Sequence, residues 1–272
     1  MDAHTVTPVA AALRYTVGSV ATTLTEDEHI AAIEAASARL SRDVAAAGDD
    51  APVPTCPDWD ARALIAHIIM VHHWAASHLL ADDPDAGPGE GDLRAGDENL
   101  FRRFDEGEQR LVAALRAAPD DLKAPVFLLD APAPRAFWAR RQAHETTIHG
   151  VDALAARLGR TPTSVECDIP ARVALDGIDE LLLGFVPRGA SGWETSMTIA
   201  VRPTDSPRRW SLTIGPNRVV AAAHDLPDAT AVLVGTAAQL YLGLWNRGDE
   251  IASVGDSDAL AMWRAIERVS WS

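Results

Sequence analysis

The hydrophobic period changes once along this chain, and the change divides it into two kinds of structure. Up to about residue 185 apolar residues recur three and four apart, as in Ile30, Ile33, Leu40 and Val44, or Leu64, His67, Val71 and Trp74. That spacing lines one face of an α-helix. Beyond Pro187–Gly192, short runs rich in β-branched residues take over, at 195–201, 210–214, 218–223 and 231–234, bounded by Gly, Pro and Asn. The pattern predicts a mainly α chain with an α+β second domain: a helical bundle followed by a small mixed unit.

The helical part reads as helices over 26–47, from Asp58 as N-cap to Leu80, over 98–117, over 136–158 with Gly159 as the stop, and over 171–185. In the second part, helices are expected over 236–245 and 258–268. Residues 1–25 carry no strong period and read as an arm, which leaves a bundle at 26–188 and the α+β unit at 189–272. The stretch 51–59, APVPTCPDW, holds three prolines and must be an extended loop. Residues 81–96, rich in Asp, Pro and Gly, form a polar loop long enough to border a site.

Composition narrows the partners. The 272 residues are 47% hydrophobic, enough for a sizeable core, and the formal charge of −15 argues against nucleic acid or an anionic membrane surface. The two cysteines, Cys56 and Cys167, are far apart and suit reduced thiols better than a disulfide framework. No basic leader and no unbroken apolar run of spanning length is apparent, so a cytoplasmic protein is expected. An acidic surface permits a monomer or a homodimer. Usage rich in Ala and Arg but poor in Lys suggests a high-GC bacterial genome.

The chemistry concentrates in Ala143–Asp152, AHETTIHGVD. Glu145 and His149, four apart, share one helical face, whereas His144 diverges from it. The pattern H-E-x-x-x-H therefore differs from H-E-x-x-H, whose two histidines are the i, i+4 pair. A Glu–His pair alone is commonly a solvated stripe. His67, inward on another helix, supplies a third ligand from the facing side, as bundles do for metals. Two His and one carboxylate suit zinc with an open coordination position, or iron(II). Asp152 can orient His149 from behind, or be a surface residue near the helix end. His72, His73 and His78 read as packed or solvent-facing. Cys56 is a possible nucleophile, with a buried loop thiol as the plainer reading.

Several motifs taken together resemble the mycothiol-dependent maleylpyruvate isomerase family. They are V-P-T-C-P-D-W at Val53–Trp59 leading into Leu64–His67, R-R-Q-A-H-E-T-T-I-H-G-V-D-A at Arg140–Ala153, and D-G-I-D-E at Asp176–Glu180. Leu240, Tyr241, Leu244, Trp245 and Arg247, then Val254–Asp256, extend the likeness to the second half, so that it covers about 26–268. The resemblance implies a DinB-like four-helix bundle followed by a small sterol-carrier-like α+β domain, in an actinobacterial setting. It implies zinc on His67, Glu145 and His149, with the thiol of mycothiol at the open position. A zinc-bound thiol is a thiolate at neutral pH. It can add to an activated double bond, permit rotation and leave, as in an isomerase, or attack an electrophile and stay, as in an S-transferase.

The family commonly carries glycine where this chain has Asp58. A dicarboxylate substrate would call for cations at the cleft, and Arg94, Arg102, Arg103 and Arg247 are the candidates. Arg247 is the strongest as a catalytic residue, because it follows the family-like Leu244 and Trp245. Two other classes compete. One is a small-molecule binding or carrier protein with a structural or vestigial metal site and a cavity lined by Trp193, Trp210 and Trp245. The other is a metal-dependent hydrolase with Glu145 as base, a role that ligation by Glu145 would remove.

Overall fold

Helix α1 (Glu26–Ala47) starts where Thr25 closes a capping box: its hydroxyl accepts from the Glu28 N–H, and the Glu28 carboxylate accepts from the Thr25 N–H. The computed structural model describes residues 24–94, 99–128, 131–188, 196–216, 218–256 and 258–266. The expected arm therefore lies outside the described residues but for Leu24 and Thr25. After α1 the chain runs through the proline loop into α2 (Ala61–Leu80), then a short α3 (Glu90–Arg94), α4 (Leu100–Ala117) and α5 (Pro134–Leu158). The N-cap of α2 is Asp60, whose Oδ1 accepts the Ala63 N–H at 2.6 Å, rather than Asp58. Backbone bonds between Val53 and Trp59 and a bridge from Pro52 to Asp60 hold the loop extended two residues further than the sequence suggests.

Two short helices follow, α6 (Ser164–Cys167) and α7 (Ala171–Asp179), and α7 widens into a π-helical turn at Glu180–Phe185. The second half holds β1 (Met197–Pro203), β2 (Trp210–Gly215), β3 (Arg218–Ala222), β4 (Ala231–Gly235), α8 (Ala237–Leu244), β5 (Ala252–Gly255) and α9 (Ala259–Ile266). The sheet order is β3-β2-β1-β4-β5, with β1 and β4 parallel and the other pairs antiparallel. Strand β5 has all four residues exposed, so no alternation of polarity marks it in the sequence. Helix α2 is long and apolar enough by length and composition to cross a membrane, but histidines interrupt its apolar run and 72% of that stretch is buried, as in a core helix.

Helix α5 is the axis of the molecule. It packs on α1 and α2, and every residue from Phe137 to Ala156 except Gly150 is buried. Its Phe137, Trp138 and Ala139 enter the bundle core with Ile33 and Leu111, while Ile148 and Val151 enter a second core with Ile178, Tyr241, Ile199 and Leu233. A helix this polar is tolerated inside because its charged side chains find partners. His144 Nε2, His29 Nε2 and Arg140 Nε converge on Asp176 Oδ2 at 2.8, 3.0 and 3.1 Å, and Tyr241 on α8 meets His144 Nδ1 at 3.2 Å. This knot joins α1, α5, α7 and α8.

Gly177 allows the knot to close. A Cβ there would lie 2.2 Å from the Tyr241 ring and 2.8 Å from His144 Nδ1. Gly177→Ala should therefore push α7 off α8 and lose about 1–3 kcal/mol of stability, the usual cost of overpacking. Urea unfolding measures it as a lower midpoint at unchanged slope. A wild-type midpoint would mean that the two helices are not held at this distance.

Candidate metal centre

His67 on α2 and Glu145 and His149 on α5 bring three donor atoms within 4.8 Å of one another, all from buried side chains. Glu145 Oε1 lies 3.4 Å from His67 Nε2 and 3.3 Å from His149 Nε2. Donors bound tetrahedrally to zinc at about 2.0–2.1 Å stand about 3.3 Å apart along each edge, so these spacings fit such an ion. The i, i+4 geometry of α5 sets the Glu145–His149 distance, and the α2–α5 packing sets the other.

Trp59, at the end of the proline loop, covers the two imidazoles. Its ring stacks on His149 at 5.5 Å and tilts against His67 at 4.8 Å. Behind His149, Nδ1 meets Asp152 Oδ2 at 2.9 Å. Asp152 is fully buried and also accepts from Thr55 Oγ1 at 2.6 Å and from Arg247 Nε and Nη2 at 2.7 and 3.2 Å. Arg247 thus reaches across from the second half of the chain, with Nη1 on the Trp245 carbonyl at 3.0 Å. Glu145 uses its other oxygen for Arg141 Nη2 at 3.1 Å. Arg141 in turn pairs with Glu180, and its guanidinium lies over Phe185 and Trp245.

These contacts set the charges. Burial opposes ionisation of Asp152, but the Arg247 charge and the His149 hydrogen bond outweigh it and hold the carboxyl well below its usual range. Glu145 is likewise buried, and hydrogen bonds from His149 and His67 keep it ionised. His149 loses from burial but gains more from Asp152 and Glu145, which raise it to about 9. Cys56 sits 3.4 Å from Asp152 and 3.1 Å from Arg247 Nη2; burial and then the Asp152 charge push its thiol up to about 12, which keeps it protonated. That favours the plain loop thiol over a nucleophile.

The centre opens on a cavity of about 740 Å³ between the proline loop, α5 and the segment Leu244–Asp249. Glu145 and His149 lie in its wall, with Arg247, Trp245 and Arg264. Of the four arginines suggested by sequence, only Arg247 lines it. Arg94 pairs with Glu90, Arg102 pairs with Glu106, and Arg103 is exposed. His72 is buried against Thr146 and Phe104, where burial lowers it to about 4; His73 meets Arg110, and His78 stacks on Trp138. Sequence reasoning misses Arg264, which carries no pattern. It also misses Arg141, although its i, i+4 spacing to Glu145 was there to be read.

A second group with metal-like composition, His29, His144 and Asp176, has a different character. There both imidazoles and the Arg140 guanidinium point at one carboxylate oxygen. A guanidinium already holds the place that a cation would need. Burial lowers His144 despite Asp176, whereas Asp176 is held far below its usual range by those partners against its own burial. Three nitrogen groups gathered on one carboxylate oxygen make this a structural junction between helices rather than a second metal centre.

Comparison with known proteins adds to this geometry. Residues 30–154 match the family model of the mycothiol maleylpyruvate isomerase N-terminal domain, and residues 172–262 match that of the corresponding C-terminal domain. A crystal structure of a mycothiol-dependent maleylpyruvate isomerase superposes with a TM-score of 0.59 at 17% identity, over 85% of this chain and 93% of that one. A histidine-to-alanine mutant of such an enzyme superposes with a TM-score of 0.58 at 15% identity, over the same shares. No curated protein matches at a significant level.

An ion entering the centre must displace the proton on His149. Because that imidazole is raised to about 9, its contribution to the metal-free fold is full below about pH 6.5 and is lost as pH rises through about 9. Zinc binding at pH 7 should therefore release about one proton, and the release should fade by pH 10. Calorimetric titrations in buffers of different ionisation enthalpy measure this; equal release at both pH values would contradict it.

Proposed function

Because this chain belongs to the mycothiol-dependent maleylpyruvate isomerase family, a family of enzymes, we propose that it is a zinc enzyme which binds mycothiol and presents its sulfur to an electrophilic small molecule. The observation that carries this reading is the three-donor group of His67, Glu145 and His149, in which both imidazoles stand from the carboxylate at distances that suit a tetrahedral ion, and which opens to a cavity on one side. Bound there, zinc would lower the pKa of a coordinated thiol so that thiolate is available at neutral pH.

The chain's own residues do the rest. Asp152 holds the His149 ring so that Nε2 faces the centre, and Arg141 occupies one oxygen of Glu145 so that the other is the ligand. Trp59 shields the imidazoles from water. Arg247 brings a guanidinium to the cavity wall, where it orients Asp152 and offers charge to an anionic substrate group. A substrate whose double bond is activated by a carbonyl, as in maleylpyruvate, would isomerise by addition and loss of the sulfur. An electrophile with a leaving group would instead keep it. The same residues serve either outcome. Two free thiols in the described residues agree with a reducing, cytoplasmic location.

The carrier reading loses part of its support. Trp210 is packed in the core with its N–H on Asp179, whereas Trp245 lines the cavity, and Trp193 lies outside the described residues.

Zinc analysis combined with titration by mycothiol tests the proposal directly. The wild-type chain should hold one zinc and bind the thiol, whereas His149→Ala should weaken zinc binding at least ~100-fold and abolish thiol-dependent turnover. Full zinc occupancy in that variant would overturn the assignment. Arg247→Lys makes a separate prediction. It keeps the charge but cannot reproduce the two-pronged hold on Asp152. Zinc content should stay near wild type while kcat/KM falls about tenfold or more; unchanged turnover would remove Arg247 from the machinery.

A further inference from the structure

His67 also has a carboxylate at its back. Its Nε2 faces Glu145, and its Nδ1 lies 3.5 Å from Glu90 Oε2 on α3. We propose that Glu90 is the positioning residue of His67, the counterpart of Asp152 behind His149; the proposal rests on the metal-centre reading above. Once Nε2 is given to an ion in place of its contact with Glu145, Glu90 is placed to accept the Nδ1 proton, hold the ring in that tautomer and make Nε2 a stronger donor. Each ligand then has one charged partner outside the centre: Glu90 for His67, Asp152 for His149 and Arg141 for Glu145.

The placement of Glu90 is built rather than incidental. Helix α3 is pinned by Leu93, which is 2% exposed and packs in one core with Leu64 and Phe104. Arg62 braces its C-terminal end, with Nε on the Arg94 carbonyl at 2.9 Å and Nη2 on the Leu93 carbonyl at 3.4 Å, while Nη1 holds Asp49 at 3.1 Å. Arg94 lies 3.6 Å from Oε1 of Glu90, which leaves Oε2 for the imidazole. The two histidine arms are unequal. The Glu90 side chain is 30% exposed and stands 3.5 Å away, whereas Asp152 is fully buried and stands at 2.9 Å. Water competes for Glu90, so its effect should fall at the low end of the range for such outer partners, about tenfold in metal affinity, with Asp152 nearer to about 100-fold.

The test compares wild type with Glu90→Gln, Glu90→Ala and Glu90→Asp. Zinc affinity is measured by competition with a chromophoric chelator, the visible spectrum of the cobalt(II)-substituted protein reports ligand geometry, and thermal unfolding of metal-free protein checks the fold. Expected results are zinc binding about tenfold weaker in Glu90→Ala and several-fold weaker in Glu90→Gln. The cobalt spectrum should shift in both, the metal-free midpoint should stay at the wild-type value, and Glu90→Asp should recover part of the affinity. Wild-type zinc affinity and cobalt spectrum in Glu90→Ala would overturn the role of Glu90 alone. A wild-type chain that takes up neither metal would instead overturn the metal-centre reading.

Discussion

The structure depends on keeping the Glu145 carboxylate charged inside a helical core. An isolated buried carboxylate would take up a proton or unfold its surroundings, since the desolvation penalty is several kcal/mol after relaxation. Here one oxygen faces two imidazoles and the other an arginine that itself answers to Glu180. Every group in that chain is needed by the next. The density of charge along α5 follows from this: Arg140, Arg141, His144, Glu145, His149 and Asp152 are all buried, and each has a partner on another element or one turn away on α5.

The same logic operates twice, with different results. Around Asp176, two imidazoles and a guanidinium converge on a single oxygen, so the knot joins α1, α5 and α7. Around Glu145, the imidazoles face an oxygen that no arginine occupies, and one side opens on a cavity. The two clusters share the stretch Arg140–His149 and almost the same residue types. What separates a structural knot from a candidate centre is which oxygen the arginine takes.

Much of the centre was legible because it is local. The spacing of Glu145 and His149, the divergence of His144 and the inward face of His67 all follow from helical geometry over one or two turns. Partners that depend on long-range packing were not legible. Nothing near His29 or Asp176 in the sequence says that they meet, and Glu90 lies in a segment whose Asp, Pro and Gly content reads as loop and hides a five-residue helix. Strand β5 escaped because it is exposed on both faces, and the start of α2 moved from Asp58 to Asp60 because backbone bonds within 51–61 keep the chain extended up to the second of two residues equally able to cap. Arg247 was identified from its neighbours, but its grip on Asp152, 95 residues earlier, belongs to the fold alone.

That long reach bears on how the molecule is made. All three donor residues and Asp152 lie on α2 and α5, which leave the ribosome well before Arg247 does. Domains tend to fold in order of synthesis. For that interval Asp152 has its histidine but not its guanidinium, and the side of the centre later walled by Leu244–Asp249 is open to solvent. Arrival of the second half brings a guanidinium to the waiting carboxylate and adds the Leu244–Asp249 wall, so one side of the cavity exists only once both halves have folded.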